Sequence, residues 1–101
     1  MTIPETILQQ LGGRRFMVMT GAKHPMAVDE NTLAFKLPGG GGFTKDGINK
    51  VSITLDPADT YTVRFYRIRS TNFKLVAEYS DVYCDQLKTI FESTTGLRTN
   101  L

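Results

Sequence analysis

Period-two alternation of apolar and polar residues recurs along this chain of 101 residues and constrains its fold more than any other feature. Residues 15–19, 32–37, 50–55, 60–69 and 73–79 all show it. Such alternation is typical of strands with one buried face and one solvated face. Because the links between the later segments are short, the pattern predicts an antiparallel meander of about five strands.

Turn residues separate these segments. Asp56-Pro57-Ala58-Asp59 has proline where a type I turn favours it, and Ser70-Thr71-Asn72 is a short polar link. Residues 38–47 contain four consecutive glycines, which predict a flexible loop between the second and third strands. A phosphate-binding loop would need a Gly-Lys-Ser/Thr ending and a following helix, and neither is present in the sequence pattern.

Helical signals mark both ends of the chain. Thr2 is a predicted N-cap, Ile3, Ile7, Leu8 and Leu11 then recur at helical spacing, and Gly12-Gly13 ends the segment. A second helix is predicted from Ser80 or Asp81 to about Thr95, with Gly96 beyond its end. We therefore predict one α+β domain over residues 1–101, with a short N-terminal helix and a C-terminal helix packed on one face of the sheet.

Side chains that commonly carry catalysis or bind metals are scarce. Cys84 and His24 are the only residues of their types, which argues against a disulfide and a structural zinc site. Cys84 is expected to be a buried helical thiol and His24 to lie in an exposed loop. Asp56 and Asp59 are interpreted as turn formers rather than an acid–base pair. The sequence thus predicts a non-enzymatic protein without cofactor or metal.

No apolar run approaches the ~20 residues that cross a bilayer, and the N-terminus lacks the basic start and apolar stretch of a secretory signal. A single cysteine suits a reducing compartment. We therefore expect an intracellular protein with no membrane partner.

Positive charge collects on the predicted strands. Glu78 is the single acid there, against seven basic residues: Arg15, Lys36, Lys50, Arg64, Arg67, Arg69 and Lys74. Alternation places four of the seven beside Tyr66 on the face opposite the apolar set: Lys36, Lys50, Arg64 and Lys74. Cations around an aromatic ring suit single-stranded nucleic acid. The alternative interpretation is a solvated face whose charges discourage aggregation.

Apolar residues on the same predicted face favour a different kind of partner. Met17, Met19, Ile68 and Val76 are expected there, and such a patch is typical of a protein contact. The alternative function is therefore a protein-interaction module, or a homodimer formed through the sheet.

Segments from nearly the whole chain carry a further signal. They are Leu11-Gly12-Gly13, Phe16-Met17-Val18-Met19-Thr20-Gly21-Ala22-Lys23, Asn31-Thr32-Leu33-Ala34-Phe35-Lys36-Leu37-Pro38, Ile48-Asn49-Lys50-Val51-Ser52-Ile53-Thr54-Leu55, Asp59-Thr60-Tyr61, Val82-Tyr83-Cys84-Asp85-Gln86-Leu87-Lys88 and Phe91-Glu92-Ser93-Thr94-Thr95-Gly96-Leu97. In these segments the chain resembles a family of small bacteriophage and prophage proteins with no assigned activity. The resemblance implies a phage or prophage origin and the cytoplasm of a bacterial host, and it assigns no functional residue. It also implies that the alternative function, a protein-interaction module, would modulate a host or phage protein.

Overall fold

The computed structural model describes residues 2–37, 47–69 and 72–97. Its elements are, in chain order, α1 (Ile3–Leu11), α2 (Gly13–Thr20), β1 (Lys23–Asp29), β2 (Thr32–Lys36), β3 (Lys50–Leu55), β4 (Tyr61–Arg69), β5 (Asn72–Val82), a 3₁₀ turn (Cys84–Gln86) and α3 (Leu87–Thr95). The strands form one antiparallel sheet in the order β1-β2-β3-β4-β5. The predicted α+β class with a five-stranded meander is confirmed. The glycine-rich loop predicted for 38–47, except Gly47, and residues 70–71 of the predicted link lie outside the described residues.

The three central strands follow the predicted alternation without interruption. Phe35 lies opposite Val51, and Val51 lies opposite Phe65, while Leu33, Ile53 and Val63 form the next such row. All six side chains are buried in the core. Period two holds here because both edges of β3 pair in register, and the helices cover this core face of the sheet.

Three phenylalanines join the helices to the sheet. The Phe16 ring of α2 lies 5.3 Å from the Phe35 ring of β2 and 4.9 Å from the Phe91 ring of α3, measured between centroids, in edge-to-face contacts. All three are fully buried beside Ile7 and Leu11 of α1. Such ring pairs contribute about 0.5–1.5 kcal/mol each beyond the burial of apolar area.

The predicted strand at 15–19 is wrong, because this segment belongs to α2. Phe16 and Thr20, four residues apart, are buried, whereas Val18 is exposed, which is a helical rather than a period-two pattern. Met17 packs partly against the core from this helix. A five-residue run is too short for alternation to distinguish the two structures reliably.

Helices α2 and α3 end in the same way, at a Phe-x-x-x-Thr-Gly sequence. The hydroxyl of Thr20 donates to the Phe16 carbonyl at 2.7 Å and accepts from the Ala22 amide at 3.2 Å. Thr95 makes the same two bonds, at 2.7 and 3.2 Å, to Phe91 and Leu97. Gly21 and Gly96 follow with φ of 74° and 80°, a left-handed conformation that glycine adopts without steric cost.

Strand β1 was not predicted, since its residues do not alternate. Pro25 lies inside it, His24 has φ of 55°, and the pairing with β2 shifts register twice. Every residue of β1 is exposed. Proline and bulges are common in edge strands, where they limit pairing with other chains. His24 is exposed, as expected, but it lies in a strand rather than a loop.

A bulge in β5 divides that strand between the two faces of the sheet. Phe65 pairs with Ala77 but Tyr66 pairs with Leu75, so Val76 is the extra residue. Ala77 and Tyr79 therefore face the core side, whereas Leu75 and Phe73 face the opposite side. The prediction that Phe73, Leu75, Ala77 and Tyr79 share one face is wrong for this reason.

Some of the predicted helix caps and turns are confirmed, and others are wrong. Thr2 accepts a hydrogen bond from the Glu5 amide, and α1 ends before Gly12. The 56–59 turn forms, with the Asp59 amide donating to the Asp56 carbonyl. The C-terminal helix, however, begins at Leu87, because β5 continues to Val82. Cys84 is consequently exposed in the 3₁₀ turn, and its predicted burial is wrong.

Candidate nucleic-acid interface

Three lysines lie side by side on the open face, which is the face of the sheet opposite the helices. Lys23 pairs with Lys36 and Lys36 pairs with Lys50, each directly across from its neighbour. We call these residues the lysine row. The same row continues to Tyr66 on β4 and Leu75 on β5. Like charges directly opposite each other destabilise a sheet, so the arrangement lowers folding stability unless an anion offsets it.

The described residues supply no acidic partner to the lysine row. Among the residues that the structure describes, no carboxylate lies within ion-pair distance of these three ammonium groups. Lys23 and Lys36 are exposed, and Lys50 is half-buried with its Nζ atom 5.7 Å from the centroid of the Phe73 ring. That distance permits a cation–π interaction. The row is thus a solvent-accessible strip of positive charge.

An aromatic pair, Tyr66 and Phe73, adjoins the lysine row. Their ring centroids are 4.6 Å apart at an interplanar angle of 43°, and 59% of Phe73 is exposed. Leu75 is also exposed, at 47%. Ile68 is half-buried directly opposite Phe73 on the same face. An exposed ring beside a cation offers a stacking surface for a base next to a phosphate contact.

The backbone beneath this region is held by an amide side chain. The Nδ2 atom of Asn49 donates to the Ile68 carbonyl at 2.7 Å, and its Oδ1 atom accepts from the Ile68 amide at 2.8 Å. Asn49 also lines a shallow depression with Lys36 and Lys50. This pair of hydrogen bonds extends the β3–β4 pairing to the point where the lysine row begins. It fixes the position of Lys50 on β3 relative to Tyr66 on β4.

Three more cations surround the end of the β4–β5 hairpin. Arg67 and Lys74 are paired across the two strands, and Arg69 ends β4. With Asn72 and Phe73 they line a second depression. Strands β1, β3 and β5 begin, and β2 and β4 end, at this edge of the sheet. All six cations therefore lie at one end of the strands, which we call the basic end.

Five acidic residues of the described part of the chain lie at the opposite end of the strands, which we call the acidic end. Asp29 and Glu30 belong to the β1–β2 turn region, Asp56 and Asp59 to the β3–β4 turn, and Asp81 to the end of β5. The sequence predicted that cations collect on the strands, with four of them on the open face. The structure shows that charge also separates along the strands, because antiparallel order brings alternate turns to the same edge.

The five predicted site residues are only partly brought together. Lys36, Lys50 and Tyr66 lie in one transverse row, as the alternation indicated. Arg64 shares their face, but its Nε atom donates to the Glu78 carboxylate at 2.6 Å. This hydrogen bond raises the pKa of the Arg64 guanidinium further above its usual value. Arg64 is therefore committed to Glu78.

Lys74 was predicted on the open face, and that prediction is wrong. It lies opposite Arg67, on the other side of the sheet from Tyr66, because the bulge at Val76 reverses the alternation in this part of β5. The same bulge places Phe73 on the open face, where the sequence pattern missed it. Lys23 was missed because β1 was not recognised. The available signal for a new element was the position of Lys23, two residues after the Thr20-Gly21 pair that ends α2.

Residues 2–37, 47–69 and 72–97 hold no group of three or more His, Cys, Asp or Glu side chains placed to bind a metal. Over the same residues, no helix has both the length and the apolar character needed to cross a membrane.

Comparisons with known proteins add no relative. No protein-family model matches the chain, and neither the search of curated proteins nor that of solved structures finds a match.

Proposed function

We propose that this chain is a non-enzymatic protein that binds single-stranded nucleic acid through the open face at the basic end of its sheet. The lysine row contacts phosphates, and the aromatic pair stacks with a base. The resemblance to phage and prophage proteins suggests that it acts in the cytoplasm of a bacterial host. The observation that carries the proposal is the lysine row, which has no ion-pair partner among the described residues and runs directly into the aromatic pair.

Electrostatics supports an anionic ligand with repeated charge. Three mutually repelling ammonium groups gain more from one polyanion than from separate monovalent ions, because binding the polyanion releases its condensed counterions. The exposed ring of Phe73 supports a ligand with flat, unpaired bases, since stacking on a protein ring requires a base that is free of a duplex.

The test is a titration of a fluorescently labelled single-stranded oligonucleotide at about 50 and about 200 mM salt. Three phosphate contacts give a slope of log affinity against log salt of roughly −2 for single strands, which corresponds to an affinity about 20-fold weaker at the higher salt. Absence of binding at the lower salt would end the proposal.

A matched pair of double variants locates the contact. Lys36→Glu with Lys50→Glu reverses two charges of the lysine row, and we expect binding at about 50 mM salt to be lost. Arg14→Glu with Arg15→Glu makes the same change of net charge on exposed positions of α2, whose Phe16 packs on the other face. That control should bind with only a few-fold loss. Equal losses in both variants would contradict a site on the open face.

The second candidate function is a protein contact through the exposed apolar part of β5. The patch predicted from Met17, Met19, Ile68 and Val76 does not form, because the two methionines lie on α2 and Val76 is the bulged residue. Phe73 and Leu75 are instead the large apolar side chains of this edge strand that are exposed on the open face, and Tyr79 is exposed on the other side of the sheet. Sedimentation of the free protein tests this function: a dimer that persists at high salt and dissociates in Phe73→Ala would support it, and a monomer would count against the homodimer.

A further inference from the structure

The geometry points to a ligand that lies across the strands, along the lysine row, with a footprint of no more than about six nucleotides. This inference rests on the proposed function and adds to it the path of the ligand and the length that the protein recognises. It follows from how charge changes along the strands, how wide the sheet is, and where the aromatic side chains lie.

Charge changes sign along the strands. Next to the lysine row, towards the acidic end, lie Ala34, Ser52 and Arg64 paired with Glu78, a set with no net charge. Three threonines follow: Thr32, Thr54 and Thr62. The acidic turns come next. A polyanion that followed the strand direction would leave the cations within one row and then approach carboxylates, so the favourable direction is transverse.

The width of the sheet limits the footprint. Five strands have four spacings of about 4.8 Å, so a path from Lys23 to Leu75 is roughly 19 Å long. Neighbouring nucleotides in a stacked strand are about 3.4 Å apart, which gives at most about six nucleotides, and an extended strand covers the same distance with fewer.

Stacking is confined to one part of this path. The aromatic pair lies on β4 and β5, while β1, β2 and β3 contribute the lysines. Lys50 lies over the Phe73 ring, and Arg67 and Lys74 add positive charge near the hairpin end from the other side of the sheet. One or two bases therefore stack at this site, and the remaining nucleotides contribute through their phosphates. Recognition of this kind tolerates any base sequence.

The length of the recognised segment is measured with thymidine oligonucleotides from about two to about twenty nucleotides, titrated at about 50 mM salt. Affinity should rise steeply up to about six nucleotides and then increase only in proportion to the number of binding positions. A continued steep rise beyond about ten nucleotides would overturn the transverse path while leaving the proposed function intact. Absence of binding at every length would instead refute the proposed function itself.

The direction of the path is tested with two charge reversals near opposite ends of β1. Lys23→Glu changes the outer member of the lysine row, and Glu30→Lys changes an exposed turn residue at the acidic end. The two positions are roughly 15 Å apart along the strand, because β1 from Lys23 to Asp29 spans only Thr32–Lys36 of β2, and this exceeds the screening length of about 10 Å at 0.1 M salt. For a transverse ligand, Lys23→Glu should weaken binding at least five-fold and Glu30→Lys should change it less than two-fold. A marked gain of affinity in Glu30→Lys would show that the ligand follows the strands.

Discussion

Each face of the sheet carries a cluster of aromatic rings. The two clusters contain the same kind of side chain but differ in burial and in the elements that they join. On the core face, Phe16, Phe35 and Phe91 contact one another and are fully buried. On the open face, Tyr66 and Phe73 are in contact, but Phe73 is mostly exposed and lies under the Lys50 ammonium group. The first cluster joins α2, β2 and α3, whereas the second joins two neighbouring strands that already pair through their backbones.

The difference teaches that burial, rather than residue type, determines what an aromatic side chain contributes. The core rings lose nearly all their contact with water on folding, so they stabilise the fold. The open-face pair leaves most of one ring available to a ligand, so its contribution to folding is small and its potential contribution to binding is large. The following predictions measure this contrast, starting with the largest expected effect.

Phe91→Ala should lower the free energy of unfolding by about 3–5 kcal/mol, because it leaves a cavity at the meeting point of three elements. Urea denaturation followed by circular dichroism measures the change. A loss below about 1 kcal/mol would show that the core rings are not the main connection between the helices and the sheet.

Unlike Phe91→Ala, Phe73→Ala should change stability little and weaken binding. We expect the free energy of unfolding to change by less than about 1 kcal/mol, because the side chain is largely exposed. Affinity for a single-stranded oligonucleotide should fall by about 1–3 kcal/mol, the usual contribution of one stacked base. Tyr83→Ala is the matched control, since Tyr83 is 60% exposed and lies beyond the far end of β5. Equal losses of affinity in the two variants would contradict stacking on Phe73.

Tyr61→Phe tests a polar contact on the core face. The Tyr61 hydroxyl donates to Gln10 Oε1 at 2.6 Å, and its removal should cost about 1 kcal/mol. Burial raises the Tyr61 pKa above 10.0.

The Tyr61 pKa is higher in the folded state than in the unfolded state. The stability that the neutral Tyr61 hydroxyl contributes is therefore present below pH 10.0 and is lost as the pH rises through the folded-state pKa. The difference in stability between wild type and Tyr61→Phe should therefore narrow above pH 10.0. A constant difference over that range, in denaturant titrations at several pH values, would show that Tyr61 ionises equally well in both states.

Glu78→Gln should produce the smallest change. The Arg64–Glu78 pair is exposed, so stability should change by less than about 1 kcal/mol. Removing the carboxylate charge leaves Arg64 available to a phosphate, and affinity should rise a few-fold, with the salt slope steeper by about 0.7. Unchanged affinity and slope would indicate that the ligand does not reach the row of Arg64.

Much of the fold can be predicted from local sequence. The alternation of Leu33, Phe35, Val51, Ile53, Val63 and Phe65 identified three central strands and their buried face, since their side chains point regularly to alternate sides. Thr2 and Gly96 marked two helix ends through capping chemistry that depends only on nearby residues. From the same patterns, Lys36, Lys50 and Tyr66 were correctly grouped on one face.

The remaining features depend on contacts between distant segments. Phe16 could begin either a strand or a helix turn, and its packing between Phe35 and Phe91 selected the helix. The bulge at Val76 arises from how β5 pairs with β4, and no residue type in β5 indicates its position. It moved Phe73 to the open face and Lys74 away from it.

The sequence by itself determined the α+β class, the central strands, their buried face and an excess of cations on the strands. Tertiary structure alone decided that Lys23 joins Lys36 and Lys50, and that the basic end and the acidic end, as the described residues define them, lie at opposite edges of the sheet. The physical reason is that periodicity reports which side a residue faces while a strand stays regular. Which residues become neighbours across strands depends on register, and register is set by pairing and bulges along the whole sheet.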